Sequence, residues 1–470
     1  MTDQGPLFPT AQKARSAARR ALRWVRRKVL RPLLWILLVL VVVHLTATVI
    51  TGIMLNRQLA RLKARGESLR VIDMVEKLPP GTPNAAPIYQ QAFDSLRLSE
   101  AEKQVEDLAN PYAESPPPIA MARRVVAANA DYYRLLEQAS RMERAVFPVK
   151  WEDPLAAVFP HLAKMRQAAR LLVVRSKLRL LDGQTDAAAE DCATLLRMAE
   201  HAESEPTVIN ALVSYALHKI GLQQLEEVLS TSDPSPAMCR ELAQQPSIAD
   251  NRARMARALR TERAVGRALF HDASRRPAAV ATSVNPDFPG DLILILHLYS
   301  TLGRPLMNLD ELTFHRTMDL TIAAATLPYP QSAQQMKAAS DAIERLPSYR
   351  NLLSHMLMPI YTHFPESTES VTAVIGAARL ALDLKLYRYQ HGAYPPSLDA
   401  LPKAGKKLPL DPFTQKPYHY RTEGSGFVVW SVGPDLVDNR GAEPQGGRRW
   451  SVPRPEGDEP PSDLAFRVKQ

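Results

Sequence analysis

The apolar positions are distributed very unevenly along the chain. Residues 33–55 read LLWILLVLVVVHLTATVITGIML, 23 residues without a formal charge. As a helix rising 1.5 Å per residue they would extend ~35 Å, more than the ~30 Å hydrocarbon core of a bilayer. This run predicts one transmembrane helix, with Trp35 suited to an interface. His44, its one strongly polar side chain, reads as a neutral imidazole with a helix partner. Residues 56–75 continue as a charged helix, and the proline clusters LPPGTPNAAP and NPYAESPPP then flank a short apolar-periodic stretch around 88–98.

From about Pro118 to Leu229 the apolar period becomes helical. Leu162, Met165, Ala168, Leu171, Leu172, Leu178 and Leu181 fall at helical spacing, and DGQTD interrupts them. Asp186 is placed to cap the next helix, AAAEDCATLLRMAEHA, and VINALVSYALHKIGLQQLEEVL gives a third. Two antiparallel helices joined by so short a turn form an αα-hairpin. Residues 250–273 predict a further helix. DLILILHLYSTLG at 291–303 is intensely apolar but too short to span, and between Asp291 and Arg304 it predicts a buried helix. Helical patterns with proline breaks continue to about Phe364.

The last hundred residues change character. ESTESVTAVIGAARLALDLKLYRYQ places Val374, Ala377, Leu380, Leu384 and Tyr387 on one helix side, and Gly392 ends it. DPFTQKPYHYR has turn chemistry leading into alternating Tyr418 and Tyr420, EGSG is a turn, and FVVWSV is a β-branched, aromatic strand. The fold class is therefore mainly α: one transmembrane helix, an α-hairpin or solenoid-like helical body, and a small α+β C-terminal module. The expected divisions are a basic tail at 1–32, the span at 33–55, a juxtamembrane helix and proline-rich linker at 56–117, and a helical domain at 118–364. The α+β module follows at 365–441, and a proline-rich tail with a final strand at 442–470.

Composition sharpens this picture in two places. Pro 39 against Gly 19 suits helices with stiff connections. Of the net charge of +10, residues 1–32 carry +8, from nine basic side chains and Asp3. Charge concentrated beside an apolar run suits anionic lipid, and a nucleic-acid partner is not expected, because that needs a basic face on the folded part. The positive-inside rule places the N-terminus in the cytoplasm. The long basic region and long apolar core favour an uncleaved anchor over a signal peptide.

Chemistry-bearing residues are sparse. GxSxG, HExxH, GxxxxGK and GxGxxG do not occur. Cys192 and Cys239 lie in no metal-binding spacing; a disulfide and two buried thiols are both open. His161, His201 and His218 read as satisfied histidines on helices, and the adjacent acids Glu190 and Asp191 face apart on theirs. The helix at 250–273 carries Arg252, Arg254, Arg257, Arg260, Arg263 and Arg267. One reading makes Arg252, Arg257, Arg260, Arg263 and Arg267 a surface for anionic lipid or an acidic partner. The other, which is favoured, is a solvated face partly paired with Glu262.

The turn after Gly183, with alanine-rich packing on both sides, resembles a tetratricopeptide-type hairpin, though no 34-residue repeat follows. YRYQHGAYPPSLDAL, DPFTQKPYHY and SVGPD, in that order, resemble the C-terminal region of type II secretion major pseudopilins and related type IV pilin-like proteins. The resemblance covers roughly 75 to 100 residues. No prepilin peptidase motif precedes Leu33, and the apolar run lies over 300 residues upstream of this region. The chain is thus not an ordinary pilin subunit. In that family the loop after the last strand binds calcium. The resemblance implies Ca²⁺ at Asp435, Asp438 and Asn439, with Asp463 returning to the same place. Asp and Asn are also plain turn formers, and both readings stand. The whole chain is similar to bacterial envelope proteins with an anchor and a helical body.

The expected function is a membrane-anchored, non-enzymatic extracytoplasmic scaffold or partner-binding protein of the bacterial inner membrane, associated with a secretion or pilus-like system. Its partners would be the bilayer and envelope proteins. An envelope enzyme with a site in the helical domain and an anionic-lipid or envelope sensor are the alternatives.

Overall fold

The oily run folds as part of one continuous helix, Leu22–Ala64, in the computed structural model. The structure describes residues 19, 22–110, 113, 116–245, 251–284, 289–361, 364–401, 407–442, 450 and 463–469. A π-helical turn at Arg26–Leu30 leads into α1, Arg31–Ala64. This helix is long and apolar enough to cross a membrane, and no protein covers its most apolar stretch. Only toward its end does one stripe become buried, at Thr51, Leu55, Gln58 and Leu62, positions a helix brings to one side.

The chain forms two compact units. The first comprises Met1–Gly66, Phe270–Thr313 and Tyr349–Leu352. It holds α1, the end of α9 (Asn251–Arg275), α10 (Pro277–Val284), α11 (Pro289–Ser300) and the start of α12 (Arg304–Ala324). Asn308 of α12 donates its amide to Thr51 Oγ1 of α1 at 3.1 Å. Tyr299 of α11 donates to Asp310 Oδ2 and to the Arg350 carbonyl, both at 3.1 Å. The expectation that α11 is buried holds for one face only. Leu296 and Tyr299 are covered, whereas Leu294 is 60% exposed and Leu302, just past the helix, 74%.

The second unit comprises Glu67–Leu269, Phe314–Ser348 and Leu353–Gln470. Its first layers are α2 (Ala86–Ser95), α3 (Ile119–Ala128), α4 (Ala130–Ser140), α5 (Pro160–Leu181), α6 (Thr185–Ala202) and α7 (Val208–Thr231). The α5–α6 hairpin closes through Gly183, whose φ of +73° is a conformation that glycine adopts without steric cost. Met165, Ala168, Leu171 and Leu172 of α5 meet Leu195, Met198 and Ala199 of α6 in one core cluster with Tyr89, Tyr132 and Leu136. Asp186 does not cap α6 as expected. It sits in the first turn, and its carboxylate accepts the Ser235 N–H at 2.7 Å, tying α6 to the entry of α8 (Pro236–Gln244). Cys192 and Cys239 are both buried and free.

After α13 (Gln331–Glu344) and α14 (Leu352–Leu357), the long α15 (Phe364–His391) packs against α7, α8 and the sheet alike. α15 and the described residues after it lie in the same compact unit as the helical body. The reason is that α15 is apolar or partnered on nearly every side. Thr368 meets Tyr215 Oη at 3.1 Å, the Asn251 amide donates to Thr372 Oγ1 at 2.7 Å, and Lys385 donates to Asp233 at 2.6 Å. The sheet is antiparallel in the order β1 (His419–Glu423), β2 (Gly426–Ser431), β3 (Leu464–Val468). Ser431 pairs with Leu464 and Phe427 with Val468, so the end of the tail becomes the strand beside the fully buried β2.

Gly376 of α15 makes a close approach to Tyr418, the residue before β1. A Cβ there would lie on Tyr418 Oη and 2.8 Å from Cζ, while Tyr418 itself donates to the Ala373 carbonyl at 3.0 Å. Gly376→Ala is expected to destabilise the detergent-solubilised chain by about 1–3 kcal/mol through overpacking. Gly290→Ala, with no neighbour within 4 Å, should change stability by no more than ~0.5 kcal/mol. Denaturant midpoints of the two variants check this.

Candidate functional site

The arginine helix supplies the first site. The six arginines between Arg252 and Arg267 do not share one face of the helix, and folding separates them. Arg263 is 1% exposed and lies between Glu67 and Asp319, with Asp319 Oδ1 at 2.8 Å. Arg252 donates to Glu369 of α15 at 2.7 Å, and Arg267 is half-buried. Only Arg257 and Arg260 are exposed. The surface of five arginines considered above is therefore not formed, because a cation sealed from solvent must be matched locally. Two exposed arginines at ~1 kcal/mol each would supply little affinity for anionic lipid. Glu262 is not their partner either; it accepts the Val208 N–H at 2.9 Å and Tyr361 Oη at 3.4 Å. Burial raises the pKa of Glu262 against these two donors.

Arg254 is the productive member. It points into a cleft of about 200 Å³ between the end of α6, the start of α7 and α9, lined by Glu200, Glu203, Thr207, Ala211, Arg257 and Ala258 among others. Arg254 Nη1 donates to Glu200 Oε2 at 2.8 Å and to Glu203 Oε2 at 3.1 Å. His218 Nε2 stands 3.3 Å from Glu200 Oε1, while its Nδ1 lies 2.9 Å from the Ser214 carbonyl. The two acids diverge. Burial opposes charge on Glu200, but His218 and Arg254 outweigh it and hold the carboxyl down at about 2. At Glu203 burial wins over Arg254, and neighbouring Glu200 adds to the upward shift. A carboxylate that stays ionised thus sits beside a carboxyl that takes up a proton more readily.

A second concavity, about 490 Å³, opens between α3, α4 and α5. Its floor includes Val126, Ala127, Ala130 and Leu178, with Tyr133. Arg123 crosses to Asp182 in a two-pronged pair at 2.8 and 2.6 Å. The Arg175 guanidinium lies 4.2 Å from the Tyr133 ring centroid and donates to Asp191 at 2.9 Å and Glu137 at 2.6 Å. Burial works against charge on Arg175, but Asp191 and Glu137 overcome it and keep the guanidinium protonated. Arg179 stands 2.9 Å from the same Asp191 oxygen. The adjacent acids part as helix geometry requires, since Glu190 takes Arg141 and Arg197 instead.

The remaining candidates have their own partners. His161 stacks on Phe147 with centroids 4.0 Å apart and lies 3.5 Å from Glu205. His201 bridges Tyr89 Oη and the Met142 carbonyl, each at 2.9 Å, and burial lowers its basicity. In the C-terminal loop, Asp463 does come back to Asn439. Its two oxygens accept the Asn439 N–H at 3.1 Å and the Gly441 N–H at 2.6 Å. Asp438 accepts from Trp430 Nε1 at 2.9 Å and from the Arg440 N–H at 2.8 Å. Asp435 accepts the Val437 N–H at 3.1 Å, a local Asx turn. The carboxylates fasten the loop to itself. Among the described residues no three His, Cys, Asp or Glu side chains converge as a group able to hold a metal.

Sequence patterns pointed to neither Glu200, Glu203 and Arg254 nor Arg123, Arg175 and Tyr133. Each constellation joins residues tens of positions apart, so no local spacing carries it. Glu200 yields one prediction. Its pKa lies below the ordinary 4.5, so its ionised form adds stability above pH 4.5 that is lost as pH falls toward 2. Glu200→Gln should lower the thermal midpoint at neutral pH and flatten the loss of stability across that window; melting curves from pH 7 to pH 2 in detergent check both. In comparisons with known proteins, no family model, no curated protein and no solved structure matches this chain.

Proposed function

We propose that this is a single-pass protein of the bacterial inner membrane, N-terminus cytoplasmic, whose extracytoplasmic helical body is a non-enzymatic docking platform for a protein partner. The observation that carries the docking reading is the concavity between α3, α4 and α5. It is lined by Val126, Ala127, Ala130 and Leu178 beside arginines already matched by Asp182, Asp191 and Glu137. Such a surface suits an apolar side chain of a peptide segment with polar contacts at the edge. It presents no group poised for bond making. Antiparallel helix pairs of this kind are a common base for concave binding faces. The anchor reading draws on the uncovered apolar helix and the +8 segment before it. Association with a secretion or pilus-type system rests on the pseudopilin resemblance of the C-terminal region alone.

An envelope enzyme is a second reading, favoured by one observation, the divergent acidities of Glu200 and Glu203 on either side of Arg254. The two readings part by location. A photo-crosslinking residue in place of Ala127, in membranes of the native host, should give a discrete protein adduct. The same residue in place of exposed Glu143 should not, Leu178→Glu should abolish the adduct, and Glu203→Gln should leave it intact. Adducts that ignore Leu178→Glu, or none at all, refute the docking surface. For the topology, alkaline phosphatase fused after Gln470 should be active and a cytosolic reporter at the same place inactive; the reverse pattern would overturn the orientation.

A further inference from the structure

α11 combines two properties that rarely coexist. Leu292 to Leu296 are apolar without interruption, so this stretch of the helix is oily all round, between the exposed Asp291 and His297. Helices of that kind are enclosed either by protein or by lipid. Protein encloses only one side of α11. Leu294, Ile295, Leu298 and Leu302, spaced to form one stripe, are 45 to 74% exposed.

The position of this stripe indicates what covers it. Tyr299, on the inner face of α11, is bonded to Asp310 of α12. One half-turn away, Asn308 of α12 is bonded to Thr51 of α1, and its amide also lies 3.4 Å from the Thr48 carbonyl. Thr51 lies within the apolar run, four residues before Leu55, or ~6 Å inside its end. Two consecutive hydrogen-bonded contacts therefore tie α11 to a level of α1 that still belongs to the hydrocarbon. A buried Asn–Thr pair is also the usual polar fastening between helices in lipid. Past that level α1 carries Arg57, Arg61, Lys63 and Arg65, the charges expected at a headgroup layer. With 12 residues α11 is ~18 Å long, too short to cross a ~30 Å core.

We infer that α11 is a second membrane contact: it lies in the interface of the leaflet that holds the C-terminal end of the span, with Leu294, Ile295, Leu298 and Leu302 facing acyl chains. The inference rests on α1 being membrane-embedded. The molecule then meets the bilayer at a span and at a flat-lying helix, two supports that restrict tilting of the span far more than a single helix would.

Spin labelling of the full chain tests it. Single cysteines replace Val42, Leu294 or Glu143 in a Cys192→Ala, Cys239→Ala background, reconstituted in phosphatidylethanolamine–phosphatidylglycerol vesicles. Relaxation by oxygen and by a water-soluble nickel chelate is compared. The Leu294 label is expected to shift toward the high oxygen-to-nickel ratio of the Val42 label and away from the low ratio of the Glu143 label. A Leu294 label reached by nickel like Glu143, with Val42 still shielded, overturns the α11 contact and leaves the anchor standing. A Leu294 label shielded from both reagents means that protein covers the stripe, and overturns it equally. A Val42 label open to nickel removes the anchor and this contact together.

Discussion

Much of this structure follows from the difficulty of sealing a cation away from water. Moving an unmatched ammonium or guanidinium into the interior costs several kcal/mol even after relaxation, so each such group must meet an anion where it lies. Arg263, Arg175 and Lys385 are almost wholly covered, and each is bonded to a carboxylate from a different element. Arg263 joins α9 to Glu67 and to α12, Arg175 joins α5 to α4 and α6, and Lys385 joins α15 to the entry of α8. The apolar core provides most of the driving force, but these pairs specify which helix faces which, because a slipped register would strand a charge.

The same rule explains why the arginine-rich helix is a structural member. Its guanidiniums are distributed around the helix, and the body folds around them. Arg252 reaches Glu369, Arg254 reaches Glu200 and Glu203, and Arg257 and Arg260 stay in solvent. The C-terminal region obeys it as well. α15 runs between the helical body and the sheet, and its polar side chains find partners on α7, α9 and the segment before α8. The C-terminal region is thereby incorporated into the larger unit, with the Arg467 N–H of β3 bonded to Glu226 of α7.

Two kinds of hydrophobic helix coexist in the chain. α5, α6 and α7 bury their apolar residues against one another, and the close fit at Gly221, where a Cβ would come within 2.9 Å of Leu195, shows how tightly they do so. The most apolar stretch of α1 and the outer stripe of α11 have no protein against them among the described residues. On the reading proposed above, a bilayer is the solvent that matches both.

Local properties were legible from the chain alone. The uncharged run of 23 residues, the α5–α6 hairpin broken at Gly183, the long helix ending at Gly392 and the strand FVVWSV all depend on the period, capping and propensity of neighbours within one or two turns. Tertiary structure alone decided the rest. It removed Arg263 from any surface, gathered Glu200, Glu203, Arg254 and His218 into one cleft, used Asp463 to fasten the loop at Asn439, and left one side of α11 uncovered. These outcomes rest on contacts between residues tens to hundreds of positions apart. Hydropathy states how strongly a side chain avoids water, but which partner or solvent replaces the water is settled only when the distant elements meet.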